Sequence, residues 1–400
     1  MSVNLWLIHV GCLTLGDFMT KEDILSFIVY LLMLATAAII GFAVITPAFK
    51  GVYEVNGMSV NAFLILSLII ACVLQVLLYE LGHVIGAKLG KYKIISFNIL
   101  GFCFYKKYDE KKKKFITKFK FPKPFDGLTG ETLIIPESEK STPIPFVWTP
   151  LFIFAIEVAL LVFAYTFISD KVKGTQNPLM FLKYFQLILV TVGGMLFIYD
   201  YFPAKLDSIT DGYRLVCLNK KININAFNEL LKIEGDEFLG IDKETYRVFD
   251  DITDFTAKVN LLTVRNYLKN NDYQKADELL AKIIENQSKI SSENLCKAKT
   301  YKLNILLMEN KLKDAQKFYD SFNAKEKEYL KKTYSMLTIR TAILYFGIIE
   351  KSKQEVDVQL SRVKKALERE TEVNKKNEKI LLENAKEVLN KIIIKEEKEK

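Results

Sequence analysis

The pentapeptide Tyr79-Glu80-Leu81-Gly82-His83 closes an apolar run of membrane-crossing length and differs by one ligand from a zinc-binding helix. In the H-E-x-x-H arrangement two histidines four residues apart hold the metal on one helical face, and the adjacent glutamate activates a metal-bound water. Here Tyr79 stands at the first histidine position, and the 400 residues include only two histidines, His9 and His83. A catalytic zinc takes about three protein ligands plus a water, so the chemistry open to this chain turns on that substitution. Glu80 and His83 are three residues apart and share a helical face. Ionisable groups at membrane depth are costly unless paired or hydrated, which marks both as functional candidates. The same pair also suits the plain exit of a helix into the interface, where charged and aromatic residues gather.

The elements that must position these residues are apolar spans. Ile24 to Phe49 and Val60 to Tyr79 carry no charged residue, Ile144 to Ile168 is interrupted only by Glu157, and Leu179 to Ile198 only by Lys183. Each is long enough for a hydrocarbon core of about 30 Å, which gives four expected crossings. The loop from Lys88 to Pro143 holds thirteen lysines against six acidic residues, so the positive-inside tendency places it, and with it both termini, in the cytoplasm. A multi-pass protein of a bacterial-type plasma membrane is expected. An even number of crossings then returns Asp211, eight residues beyond Pro203, to the face bearing His83.

The formal charge of +9 reads as topology and attraction to anionic membrane lipid. No nucleic-acid motif is present, and no nucleic-acid partner is expected. The five cysteines, Cys12, Cys72, Cys103, Cys217 and Cys296, are scattered without C-x-x-C spacing and form neither a disulfide framework nor a zinc knuckle. The first eighteen residues lack the basic leading segment of a secretory signal, and Met19, just before the first span, offers an alternative start.

The expected fold class is mostly α, with a multi-span helical membrane domain, a small β-element at the cytoplasmic face and a cytosolic helical repeat-like domain. Residues 1–23 form an N-terminal segment and 24–216 the membrane domain, within which 88–143 is the basic, β-containing loop. Alternation such as Phe115-Ile116-Thr117-Lys118-Phe119-Lys120 favours strands there, while the run Lys111 to Lys114 reads equally well as a solvated loop. Residues 217–368 follow helical spacing. Asn271-Asp272-Tyr273-Gln274-Lys275-Ala276 and Asn310-Lys311-Leu312-Lys313-Asp314-Ala315 look alike at a spacing longer than a tetratricopeptide repeat, so an irregular tetratricopeptide-like domain and an ordinary bundle both stand. Residues 369–400 are charged and read as a solvated helix or tail.

In Leu78 to Phe97 and Asp200 to Leu215, and more weakly in Gly127 to Pro136, the chain resembles the site-2 protease family of intramembrane zinc metalloproteases. The resemblance implies that His83 is the second histidine ligand, Glu80 the general base and Asp211 a carboxylate ligand. Gly82, Gly86 and Gly212 match small positions that admit close helix approach, and Pro203 belongs to the same carboxylate-bearing element. Tyr79 departs from the family at the first histidine, and Asp200 stands where the family has asparagine. A zinc-bound phenolate is chemically accessible to Tyr79. Its oxygen, however, reaches further than imidazole and would push the metal away from His83 and Asp211 or turn out of the site. Asp200 and Asp207 are spare carboxylates, and an oxygen-rich set of Glu80, Asp207 and Asp211 would suit magnesium or manganese. The expected function is an impaired protease that binds or presents a hydrophobic, membrane-associated peptide, with a cytosolic protein recruited by the helical domain. An active metallopeptidase using zinc, cleaving near the cytoplasmic leaflet, and a membrane-anchored scaffold are the alternatives.

Overall fold

A computed structural model describes residues 21–99, 102–109, 114–120, 130–169, 171, 179–206, 209–243 and 245–398. Most of the N-terminal segment with His9, the Lys111 to Lys113 run and Asp207 lie outside these residues. The described chain divides into two compact units whose boundary falls between Ile224 and Asn225, a few residues beyond the expected boundary after residue 216.

In the first unit, apolar sequence becomes helix because hydrocarbon offers backbone polar groups no partner but each other. Helix α1 (Lys21–Ile40) runs through a π-turn at Gly41–Ile45 into the single turn α2 (Thr46–Ala48). A two-residue hairpin, β1 (Glu54–Val55) and β2 (Met58–Ser59), turns on Asn56 and Gly57, whose φ angles of 52° and 78° suit an Asn-Gly turn. Ser59 then caps α3 (Val60–Leu89), accepting from the Ala62 amide. Beyond the sheet, α4 (Ile144–Ser169) and α5 (Leu179–Asp200) follow. The α1–α2 run, α3, α4 and α5 are the four helices long and apolar enough to cross a membrane. Phe27, Leu34 and Phe42 on the first and Phe152, Leu160 and Phe163 on α4 turn outward, an apolar surface consistent with a lipid surround. At 30 residues, α3 is about 45 Å long, longer than the roughly 30 Å thickness of a hydrocarbon core.

One polar clamp ties the three later helices together. Gln75 Nε2 donates to Glu157 Oε1 on α4 at 2.7 Å and to the Leu189 carbonyl on α5 at 3.0 Å. Room for it comes from Gly193, where a Cβ would sit 2.7 Å from that amide nitrogen. Gln75→Leu should therefore cost about 1–2 kcal/mol of thermal stability in detergent, while Glu157→Gln, which keeps the acceptor, should be near neutral. Equal losses from both would show that the clamp's geometry is not what holds the helices.

The basic loop forms a four-stranded antiparallel sheet in the order β5 (Lys114–Lys120), β4 (Phe102–Asp109), β3 (Tyr92–Ile99), β6 (Gly130–Pro136). Lys114 opens β5, so the end of the run read as a solvated loop is strand. The sheet packs β3 and β6 on α3, with Ile95 and Ile134 buried. A register shift between Ile94 and Ser96 marks a bulge, after which Phe97 pairs with Thr132.

The second unit is helical: the last turns of α7 (Lys221–Phe238), then α8 (Asp254–Lys269), α9 (Tyr273–Glu285), α10 (Ser292–Met308), α11 (Leu312–Asp320), α12 (Ala324–Lys332), α13 (Met336–Leu344), α14 (Lys353–Leu367) and α15 (Glu372–Lys398). Helix α6 (Asp211–Cys217) belongs to the first unit. The two look-alike segments are the corners of the α8–α9 and α10–α11 hairpins, where Asn271 and Asn310 take φ angles of 57° and 58°. Asparagine tolerates that left-handed conformation, which explains its recurrence at both corners. Of the helix or tail expected over 369–400, the described residues form the helix α15, which is not simply solvated: it buries Leu381, Leu382, Ala385 and Leu389 against the other helices. Its apolar positions follow helical spacing but are diluted by lysine and glutamate, which masked them in the sequence.

Candidate functional site

Tyr79 and His83 stand one turn apart on α3, their rings edge to face at 4.7 Å. The loop after α5 brings α6 back beside them. Thr210 caps α6, its Oγ1 accepting from the Tyr213 amide at 3.3 Å, and this puts Asp211 in the first turn, 1% exposed. An acidic side chain there is favoured by the helix dipole. Gly212 lets the turn lie against the end of α5, since a Cβ would come within 2.3 Å of the Tyr201 carbonyl. On the other side, Gly82 and Gly86 admit α4, where added Cβ atoms would meet Pro150 and Pro145 backbone at 2.5 and 2.3 Å.

These elements converge on Asp211. Its Oδ2 lies 3.3 Å from His83 Nε2 and accepts from the Tyr79 hydroxyl at 2.8 Å, and its Oδ1 accepts from Arg214 Nη1 at 2.7 Å. The Tyr79 hydroxyl also makes a short hydrogen bond with Asp200, itself buried. His83 Nδ1 lies 3.0 Å from the Phe146 carbonyl, an acceptor only, so that nitrogen carries hydrogen and Nε2 is the one turned to Asp211. Burial works against the charge of Arg214, but the Asp211 and Asp200 carboxylates overcome it and raise its pKa above the usual value. Burial, and then the same two carboxylates, push the Tyr201 phenol up. Its hydroxyl donates to the Val147 carbonyl at 2.6 Å, which fastens the end of α5 to α4.

Comparison with known proteins returns no match among family models, curated proteins or solved structures.

The metal that the sequence resemblance implies can be tested against these donors. Two ligands of a tetrahedral zinc, each about 2.1 Å from the ion, stand about 3.4 Å apart, and the His83 and Asp211 atoms keep that spacing. The third corner is missing. Tyr79, at the lost histidine position, has its one hydroxyl engaged within hydrogen-bond reach of two carboxylates, and Arg214 already pairs with Asp211. Among the described residues no group of three or more His, Cys, Asp or Glu is arranged to hold a metal ion. The donor set as it stands does not fit a catalytic zinc. Glu80, 4% exposed, accepts from Thr132 Oγ1 on β6 at 2.8 Å.

The structure thus brings Tyr79, His83, Asp200 and Asp211 into one cluster and sets Glu80 against the sheet. Pro203 is exposed in the connection from α5 to α6. Arg214, Thr132 and the Phe146 carbonyl were not anticipated. Arg214 was within reach of sequence reasoning, because a Thr-Asp start makes Asp211 and Arg214 an i,i+3 pair on one helix. Beside the cluster, Leu89, Ile144, Pro145, Trp148, Thr149 and Phe152 line an apolar groove of about 460 Å³.

Proposed function

We propose that this chain is a membrane-embedded protein of site-2 protease type whose hydrolytic centre has been converted into a closed polar junction. In this reading the membrane unit binds or presents a hydrophobic, membrane-associated peptide, and the helical unit, read as repeat-like, recruits a cytosolic protein. The observation that carries it is the Tyr79 hydroxyl. It occupies the position of a metal ligand yet acts as a hydrogen-bonding partner of Asp200 and Asp211. The groove beside the cluster, at the end of α3 that leaves the hydrocarbon, offers apolar surface to a peptide passing that level.

The test is Glu80→Gln in the native membrane, read by quantitative mapping of peptide termini. An impaired centre predicts an unchanged set of membrane-peptide cleavages, whereas a cut that disappears and a precursor that accumulates would restore the active-peptidase reading. The lysine excess of the loop and the charged second unit support cytoplasmic termini. A reporter fused after Lys400 should accordingly read cytoplasmic, and a signal from the opposite side would break this orientation.

A further inference from the structure

Helix α15 is the last described element of the second unit, and its inner face is unusually polar for a buried one. Asn374, Asn377 and Glu378 are each under 10% exposed. Asn374 Nδ2 donates to Glu237 Oε2 at 2.8 Å, Asn377 Nδ2 to Asp242 Oδ1 at 3.3 Å, and Arg340 on α13 pairs with Glu378. Further along, Leu381 packs among Leu261, Val264 and Leu268 of α8 and Tyr301 and Ile305 of α10, while Leu382, Ala385 and Leu389 join the core around α13. Leu389 seats against Gly347, where even a Cβ would lie 2.7 Å from its methyl group. The outer face is lysine and glutamate, with Glu372–Lys375 and Glu383–Lys386 pairs.

This is how one amphipathic helix lies in a groove made by others. The fit is incomplete at its start. Asn374 Oδ1 and Arg265 Nε are buried without hydrogen-bond partners, and Arg265 bonds the same Glu237 that receives Asn374. Unmatched buried polar atoms, and a buried ion pair where apolar contact would hold better, lower the stability of the seat while fixing its register.

We infer that α15 is a removable cover on a helix-accepting face built by α8, α10 and α13. That face takes a partner helix of α15's own chemistry: a carboxylate to meet Arg340, followed three, four, seven and eleven residues later by leucine, leucine, a small residue and leucine. The inference deepens the partner-recruiting role proposed for the helical unit, and α15 then regulates access to it.

The experiment uses the full chain in nanodiscs and a labelled synthetic peptide of residues 372–398. Hydrogen exchange should show α15 amides between 374 and 389 opening about 100-fold faster than those of α10 and α13, as a separate unit. Glu378→Lys should act with opposite signs in the two molecules. In the chain it loosens the resident helix and raises peptide affinity about tenfold or more, whereas in the peptide it lowers affinity by a similar factor. Exchange of α15 as slow as that of α10 in the unaltered chain would make it a permanent cap and overturn the inference. A Glu378→Lys effect of the same sign in chain and peptide would do so too. Recovery of a cytosolic protein with the Glu378→Lys chain tests the recruiting role separately, since its failure would leave the exchange and peptide results standing.

Discussion

Replacing Asp211 with alanine should destabilise the membrane unit by about 3 kcal/mol, as a drop in thermal midpoint in detergent. The side chain is 1% exposed, is the common acceptor for Arg214 and Tyr79, and lies 3.3 Å from His83 Nε2. Removing it leaves a guanidinium, only 24% exposed, without its counter-charge. It also leaves a phenol with half of its partners. The low end of the range for broken buried pairs applies because water reaches part of Arg214. Asp211→Asn, which keeps an acceptor oxygen but not the charge, should cost less, about 1–2 kcal/mol. Arg214→Met combined with Asp211→Leu should recover part of the single-variant loss, since removing both members of a pair spares the survivor's desolvation. If Asp211→Ala and an exposed-site control such as Lys140→Ala melted alike, the cluster would have no structural weight.

Tyr79→His should complete a three-ligand metal site, with zinc affinity rising roughly hundredfold or more in titration with a chromogenic chelator. His83 Nε2 and Asp211 Oδ2 already stand at the separation of two zinc ligands, and Phe146 holds the His83 ring from behind through Nδ1. Such outer-shell hydrogen bonds fix ligand orientation in metal sites. What is absent is a third donor on the helical face one turn earlier, and an imidazole at residue 79 supplies it. The substitution also frees Asp200 from the Tyr79 hydroxyl, so a modest fall in apo stability should accompany the gain in metal affinity. Unchanged zinc affinity would mean that Arg214 holds Asp211 too firmly for the ion to compete.

The four long apolar helices were legible because stretches such as Val60 to Tyr79 need no tertiary information: absence of charge over twenty residues makes them long and apolar enough to span a membrane. Strands were legible where alternation was clean, as in Phe115 to Lys120, but their order was not. That β6 returns to pair with β3, and so delivers Thr132 to Glu80, follows from the packing of the sheet on α3 and leaves no mark in local sequence. His83 and Asp211 could be placed on one face by counting crossings. The role of Tyr79 could not, since whether a phenol ligates, turns away or bridges two carboxylates depends on Asp200, one helix away, being within reach. Arg214 marks itself in the sequence only as the i,i+3 neighbour of Asp211, a spacing that does not by itself tell a paired carboxylate from a metal ligand. The packing of α15 was hidden by a sequence in which its buried leucines are outnumbered by the charges of its other face.

Elemental analysis of the unaltered chain, purified without chelators from zinc-supplemented cells, bears most directly on the state of the Tyr79, Asp200, Asp211 and His83 cluster. A junction closed by hydrogen bonds and by Arg214 predicts well under one zinc per chain, with no change in His83→Ala. Stoichiometric zinc that disappears in His83→Ala would contradict it and make the cluster a metal site held by His83.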